Sequence, residues 1–199
     1  MNNAAENSIT GFILAGGEST RMGSDKAFLQ LGRETLLARA IRLAGAVSAE
    51  VCIVGSAARF AGHGTVVEDI FPKRGPLGGI HAALHSSNTD LNLVLAVDLP
   101  FVGVGFLDYL IRRACACGAV VIVPRAAGGW QPLCAVYRRS FAKAAEAALA
   151  QGKNKIDALF TSVKTETIEE DELTRAGFLP AMFRNLNTPE DWEHARHHL

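Results

Sequence analysis

Residues 91–97 carry a single polar side chain, Asn92, and run straight into Asp98. A strand open to water on one face alternates apolar and polar positions; a nearly continuous apolar run belongs in a sheet covered on both faces. Helices must then lie on both sides of it. Leu36, Leu37, Ala40, Ile41 and Ala44 form one helical stripe, and helices are also expected over 105–117, over Phe141–Ala150 and from Leu77 or Gly78 to His85. Short apolar runs at Ile9–Leu14, 51–54, 65–68, 119–123 and 163–168 predict further strands. Residues 130–137 read as extended, 156–160 as a short helix and 183–186 as a brief final strand. Strands alternating with helices predict parallel pairing through right-handed crossovers. The expected fold class is therefore α/β: a three-layer, doubly wound, mostly parallel sheet in one domain over 1–199.

The first strand feeds a stretch of unusual composition, Leu14-Ala15-Gly16-Gly17-Glu18-Ser19-Thr20-Arg21-Met22-Gly23-Ser24-Asp25-Lys26. Glycines let backbone N–H groups approach a polyphosphate without interference from a Cβ, and Arg21 and Lys26 can neutralise its charge. The same letters also suit a solvated strand-to-helix loop. Two common phosphate motifs are excluded by spacing. Gly17 and Gly23 are separated by five residues and Lys26 does not adjoin Gly23, so this is no P-loop. Gly16 and Gly17 are adjacent, so the dinucleotide fingerprint is absent as well.

Composition narrows the function classes. The 20 basic and 20 acidic residues balance, whereas a sequence-independent nucleic-acid binder shows a basic excess. No apolar run approaches the roughly 20 residues that span a bilayer, so no membrane partner is expected. Residues 1–8 are polar, lack the pattern of a signal peptide and read as a frayed tail. Cys52 and Cys134 lie in apolar runs, and the spacing of Cys115 and Cys117 fits no zinc pair. Four reduced thiols in a cytoplasmic protein are expected.

In doubly wound sheets ligands bind beyond the carboxyl ends of the strands, where strand order reverses. Strand ends there supply Gly16, Gly17, Arg21 and Lys26 from the first, Asp69 from the third and Asp98 from the fourth. A carboxylate ending a buried strand is costly unless paired or cation-bound. Asp98 thus suits Mg²⁺, which favours one or two carboxylates together with phosphate oxygens and water. Alternatively, Asp98 caps the helix that follows. A glycine stretch with a lysine, opposite an aspartate for Mg²⁺, reads as nucleotidyl transfer, in which cations stabilise charge developing on the phosphates. His81 and His85 are spaced i, i+4, but no Glu follows His81 as a zinc hydrolase motif requires. His194, His197 and His198 read as a solvated helix end.

These residues together resemble the molybdenum cofactor guanylyltransferase family. The matching blocks are Leu14-Ala15-Gly16-Gly17-x-Ser19-x-Arg21-Met22-Gly23-x-Asp25-Lys26, Gly75-Pro76-Leu77-x-Gly79-Ile80 and Asp98-x-Pro100-Phe101. Gln131-Pro132-Leu133 and Asn185-Leu186-Asn187-Thr188-Pro189-Glu190-Asp191 complete them, so the likeness runs from Gly11 to Trp192. The resemblance implies a Rossmann-like nucleotidyltransferase fold. It also implies a reaction in which the terminal phosphate of molybdenum-loaded molybdopterin attacks the α-phosphorus of GTP and diphosphate leaves. By resemblance Leu14, Ala15, Gly16 and Gly17 contact the nucleotide, with backbone groups reading guanine. Lys26 binds phosphate, Arg21 the β- and γ-phosphates, Asp69 the nucleotide, and Asp98 both Mg²⁺ and nucleotide. Residues 131–133 and 184–187 form the pterin side. Molybdenum-insertion proteins and apo-molybdoenzymes are the implied protein partners.

One departure stands out: where the family often carries an Asn after the second strand, this chain has Val54-Gly55-Ser56-Ala57. The residues also leave room for a CTP-dependent or sugar-phosphate nucleotidyltransferase, and for a nucleotide-binding adaptor without catalysis.

Overall fold

The computed structural model describes residues 8–16, 25–186 and 188–196. Residues 1–7 of the expected tail, Gly17, Arg21 and Asn187 therefore lie outside the described residues, as do His197 and His198. Strand β1 (Ile9–Leu14) is followed by a 3₁₀ turn (Lys26–Phe28) and a small antiparallel pair, β2 (Gln30–Leu31) and β3 (Glu34–Thr35). Thr35 caps α1 (Leu36–Gly45), its hydroxyl accepting from Ala38 N at 3.1 Å. Then come β4 (Glu50–Val54), the single turn α2 (Ala57–Phe60), β5 (Thr65–Val67), α3 (Pro76–Ser86), β6 (Leu91–Ala96) and α4 (Val104–Ala116). The second half holds β7 (Val121–Ala126), β8 (Gly129–Trp130), β9 (Cys134–Arg138), α5 (Phe141–Ala150), β10 (Thr165–Ile168), α6 (Glu170–Arg175) and α7 (Pro189–Arg196).

The main sheet runs β10-β7-β9-β6-β1-β4-β5, with β8 folded back on β7. Strand β9 is antiparallel to both β6 and β7; the β1, β4, β5 and β6 pairings and the β7–β10 pairing are parallel. The expected three-layer, mostly parallel fold is thus what forms. From β1 the chain builds outward through β4 and β5, then returns to place β6 on the other side of β1. The order reverses between β1 and β6, and Leu14 pairs with Ala96 in that register.

All six residues of β6 are buried, as a doubly covered strand demands. Along β6, Leu91, Leu93 and Leu95 face the layer formed by α1 and α4, while Val94 faces α3 and α5. Strands β7 and β9 split the same way: Ile122, Cys134 and Val136 on one side, Val121, Val123, Ala135 and Tyr137 on the other. This period of two is the strand signature behind the two cores.

Three local expectations are corrected. Residues 183–186 form no strand: Pro180–Phe183 is a 3₁₀ turn, and the segment after it is held by one bond to the sheet region, Leu186 N to Asp98 O at 3.1 Å. The 130–137 stretch is broken at Gln131–Leu133, where Cys134 N donates to Gln131 O at 3.1 Å and Pro132 has no N–H to continue a ladder. Helices α2 and α6 were not foreseen; each is only one or two turns long, too short for a periodic apolar stripe.

Candidate active site

Where β1 ends, its ladder continues one residue further: Ala15 N donates to Val54 O at 3.0 Å, and Val97 N donates to Leu14 O at 3.1 Å. Arg59, on α2, donates from Nη1 to Ala15 O at 3.0 Å. The backbone of Ala15 is therefore bonded on both sides, while Gly16, the next residue, is exposed. Gly16 meets Gly55 backbone to backbone: a Cβ on Gly16 would lie 3.8 Å from the Gly55 Cα. A Cβ on Gly55 would sit 2.6 Å from the ring of Phe60, which is fully buried. The departure after the second strand thus has a steric reason. The Phe60 ring fills the space that a side chain at position 55 would need.

Asp25 lies at the other end of the glycine stretch. Its Oδ1 accepts from Ala27 N at 3.0 Å and so caps the 3₁₀ turn that begins with Lys26. Both its carboxylate oxygens also accept from Arg59, through Nε and Nη2. Burial pushes the Asp25 carboxyl up, but the Arg59 hydrogen bonds and Ala27 N–H outweigh it and hold the group below the ordinary aspartate range. Phe28 on the same turn packs against Phe60, with ring centroids 5.9 Å apart, and against His63 at 5.1 Å.

Lys26 then points across the β1–β6 boundary: its Nζ lies 3.9 Å from Asp98 Oδ2. Asp98 stands two residues past β6, after Val97, and its carboxyl pKa is raised because burial disfavours the charge; Lys26 and the residue's own N–H offset only part of this. The helix-cap alternative does not hold, because α4 begins at Val104 with Gly103 in the cap position. Asp69 follows β5. Burial raises its carboxyl pKa too. Its Oδ1 overhangs α3, where a Cβ on Gly79 would meet it at 3.7 Å and would crowd Leu14 Cδ2 at 3.3 Å and Val54 Cγ1 at 3.4 Å. Gly79 therefore brings α3 close beneath the ends of β1 and β4.

The structure thus brings Leu14, Ala15, Gly16, Lys26 and Asp98 to the point where strand order reverses, with Asp69 at the end of β5. On the second half, Gln131 Nε2 donates to Ala126 O at 3.0 Å, and Arg184 Nη2 donates to Asp191 Oδ1 at 3.1 Å. The bond from Leu186 to Asp98 ties residues 184–186 to the same strand end. His81 is buried with neither ring nitrogen hydrogen-bonded, against Phe71 and His85. Burial lowers its pKa, with Glu146 opposing and His85 adding to that direction. Among the described residues no three His, Cys, Asp or Glu side chains converge as a metal-binding group. A cation held by Asp98 together with substrate oxygens and water would have the donor set that suits Mg²⁺.

Comparison with known proteins places the chain in a family. The family model described as a MobA-like NTP transferase domain matches residues 11–167. A probable molybdenum cofactor guanylyltransferase of Pelotomaculum thermopropionicum is 37% identical over 192 residues, covering 94% of this chain and 91% of the relative. The chain belongs to the molybdenum cofactor guanylyltransferase family. A second family member, from Desulfosudis oleivorans, is 34% identical with 94% of each chain covered. Among solved structures, the molybdopterin-guanine dinucleotide biosynthesis protein A of Archaeoglobus fulgidus superposes with a TM-score of 0.82 at 25% identity, over 94% of this chain and 97% of that one. The 4-diphosphocytidyl-2C-methyl-D-erythritol synthase of Anaerococcus prevotii shares the fold at a TM-score of 0.71 but only 13% identity. As a family member the chain is a nucleotidyltransferase enzyme. Among its described residues no helix is long and apolar enough to cross a membrane.

Arg59 and Phe60 escaped the sequence reading. Their signal was weak: one arginine in a short stretch with no periodic pattern. The adjacent Val54-Gly55-Ser56-Ala57 was the only pointer to them.

Proposed function

We propose that the chain, acting as one domain over 1–199, transfers GMP from GTP to the terminal phosphate of molybdenum-loaded molybdopterin, forming the guanine dinucleotide cofactor and diphosphate. The observation that carries this is the Lys26–Asp98 pair, 3.9 Å apart, where the strand order reverses. In the reaction an oxygen of the pterin phosphate forms a bond to the α-phosphorus. The bond from that phosphorus to the α,β-bridging oxygen breaks, and its electron pair leaves with diphosphate. A phosphate monoester is largely dianionic at neutral pH, its second pKa being about 6, so the nucleophile needs no protein base. This agrees with a site that offers cations and carboxylates rather than a nucleophile and histidine.

Lys26 holds the polyphosphate and Arg21 is assigned to the β- and γ-phosphates, both stabilising charge on the leaving diphosphate. Leu14 and Ala15 shape the base-contacting edge together with Gly16 and Gly17. Because Ala15 is already bonded to Val54 and Arg59, Gly16 is its most accessible backbone. Asp69 faces the nucleotide from the end of β5. Asp98 would hold Mg²⁺, which supplies Lewis-acid stabilisation of the phosphate oxygens. Residues 131–133 and 184–187 form the side that receives the pterin.

Incubation of the protein with Mg²⁺, molybdenum-loaded cofactor and each nucleoside triphosphate in turn tests the reading. GTP alone should release diphosphate and yield the dinucleotide. Silence with GTP overturns the proposal, and turnover with CTP instead would make the enzyme a cytidylyltransferase. Asp98→Asn should remove the activity while the fold survives; full activity in that variant would dismiss Asp98 as metal ligand.

A further inference from the structure

We propose that Arg59 is a positioning residue for nucleotidyl transfer: it ties the end of β1 to the turn that carries Lys26, and so sets where the lysine stands opposite Asp98. One guanidinium makes three contacts. Nη1 reaches Ala15 O at 3.0 Å, and Nε with Nη2 grips the Asp25 carboxylate in a two-pronged pair. The planar fork matches carboxylate geometry in a way an ammonium does not. Its Cζ also lies 4.8 Å from the Phe60 ring centroid, so the side chain is backed by an aromatic face.

The chain of contacts leads to the chemistry without a gap. Arg59 holds Asp25; Asp25 caps the Lys26–Phe28 turn through Ala27 N; that turn places Lys26 Nζ 3.9 Å from Asp98 Oδ2. Phe60, next to Arg59, packs against Phe28 at the far end of the same turn. The turn is thereby held at both ends by α2. Gly55 is what lets Phe60 stand there. In this chain the segment after β4, where the family often carries an Asn, acts through the lysine turn.

The inference rests on the nucleotidyl-transfer reading, and its test separates the two. Wild type, Arg59→Ala, Arg59→Lys, Asp25→Asn and the Arg59→Ala/Asp25→Asn double variant are compared. Their GTP affinity is measured by calorimetry, their kcat and both KM values in the transfer assay, and their melting by circular dichroism. Displacing a phosphate-binding group by about 1 Å can cost on the order of 100-fold. Arg59→Ala and Asp25→Asn should each weaken GTP binding about 10-fold and lower kcat by about 10- to 100-fold, leaving the KM for the pterin substrate within twofold. Arg59→Lys should fall between them and wild type. The double variant should be no worse than the worse single one, because both changes break one unit.

Wild-type GTP affinity and kcat in folded Arg59→Ala and Asp25→Asn overturn the proposal, as does a double variant whose loss is the product of the single losses. If Arg59→Ala does not fold, Asp25→Asn, which keeps the bond to Ala15, decides. If wild type binds GTP but transfers nothing, the transfer reading fails by itself and the GTP affinities alone judge the clamp.

Discussion

Asp98 shows the conflict between stability and chemistry at the scale of one residue. Burial raises its pKa in the folded protein above the ordinary value of 3.8. Between that value and the raised one, the folded state binds more protons than the unfolded state. Stability therefore falls as pH rises through this window, and near neutral pH the ionised carboxylate is kept at a cost. Asp98→Asn should melt above wild type near neutral pH, with the advantage shrinking on acidification and gone below pH 3.8. Thermal unfolding across a pH series checks the sign; a neutral-pH midpoint below wild type would contradict it. Asp98 was legible as a candidate because a carboxylate after an apolar run has few outlets. That of Arg59 was not, since its partners lie 44 and 34 positions away in the chain.

At the scale of elements, start chemistry read well and short pieces read poorly. Thr188-Pro189-Glu190-Asp191 has the chemistry of a helix start at the opening of α7, and the reciprocal pair forms. Thr188 Oγ1 accepts from Asp191 N at 3.1 Å, and Asp191 Oδ2 accepts from Thr188 N at 3.1 Å. The helix then seats Ala195, with Trp192 packed beside it, on the core shared with α1 and α4. Thr188→Ala should cost about 1 kcal/mol, or about 2–4 °C in Tm, as read by urea and thermal unfolding. Residues 183–186 misled because a few apolar residues look like a strand wherever they occur. Only packing decides, and here Phe183 and Leu186 enter the core without joining the sheet.

At the scale of the molecule, the candidate site is split between three strand ends and one 3₁₀ turn that lie far apart in the chain: residues 15, 69 and 98, and residue 26. A nucleotide bound across them stabilises the folded state alone. At 100 times its Kd, GTP with Mg²⁺ should stabilise by about 2.7 kcal/mol, raising Tm by about 5–10 °C. CTP at the same concentration should give a clearly smaller shift. A scanning-fluorimetry series over the four nucleotides measures this, and equal shifts for all four would contradict base selection at Gly16.

Hydrophobic patterning, which is local, determined by itself the strands β1, β4 and β6, the helices α1, α3, α4 and α5, and their arrangement as a layered sheet. Residue chemistry likewise determined Lys26 and Asp98 as a pair worth testing. Tertiary structure alone decided the strand order, the antiparallel β9 and the distance between that lysine and that aspartate. It also decided that Gly55 makes room for Phe60 and that Arg59 joins Ala15 to Asp25. These depend on contacts between residues far apart in the chain, which no local period encodes. The Lys26–Asp98 pair is the point where the two meet: its members were readable as letters, and its geometry exists because β6 returns to lie beside β1.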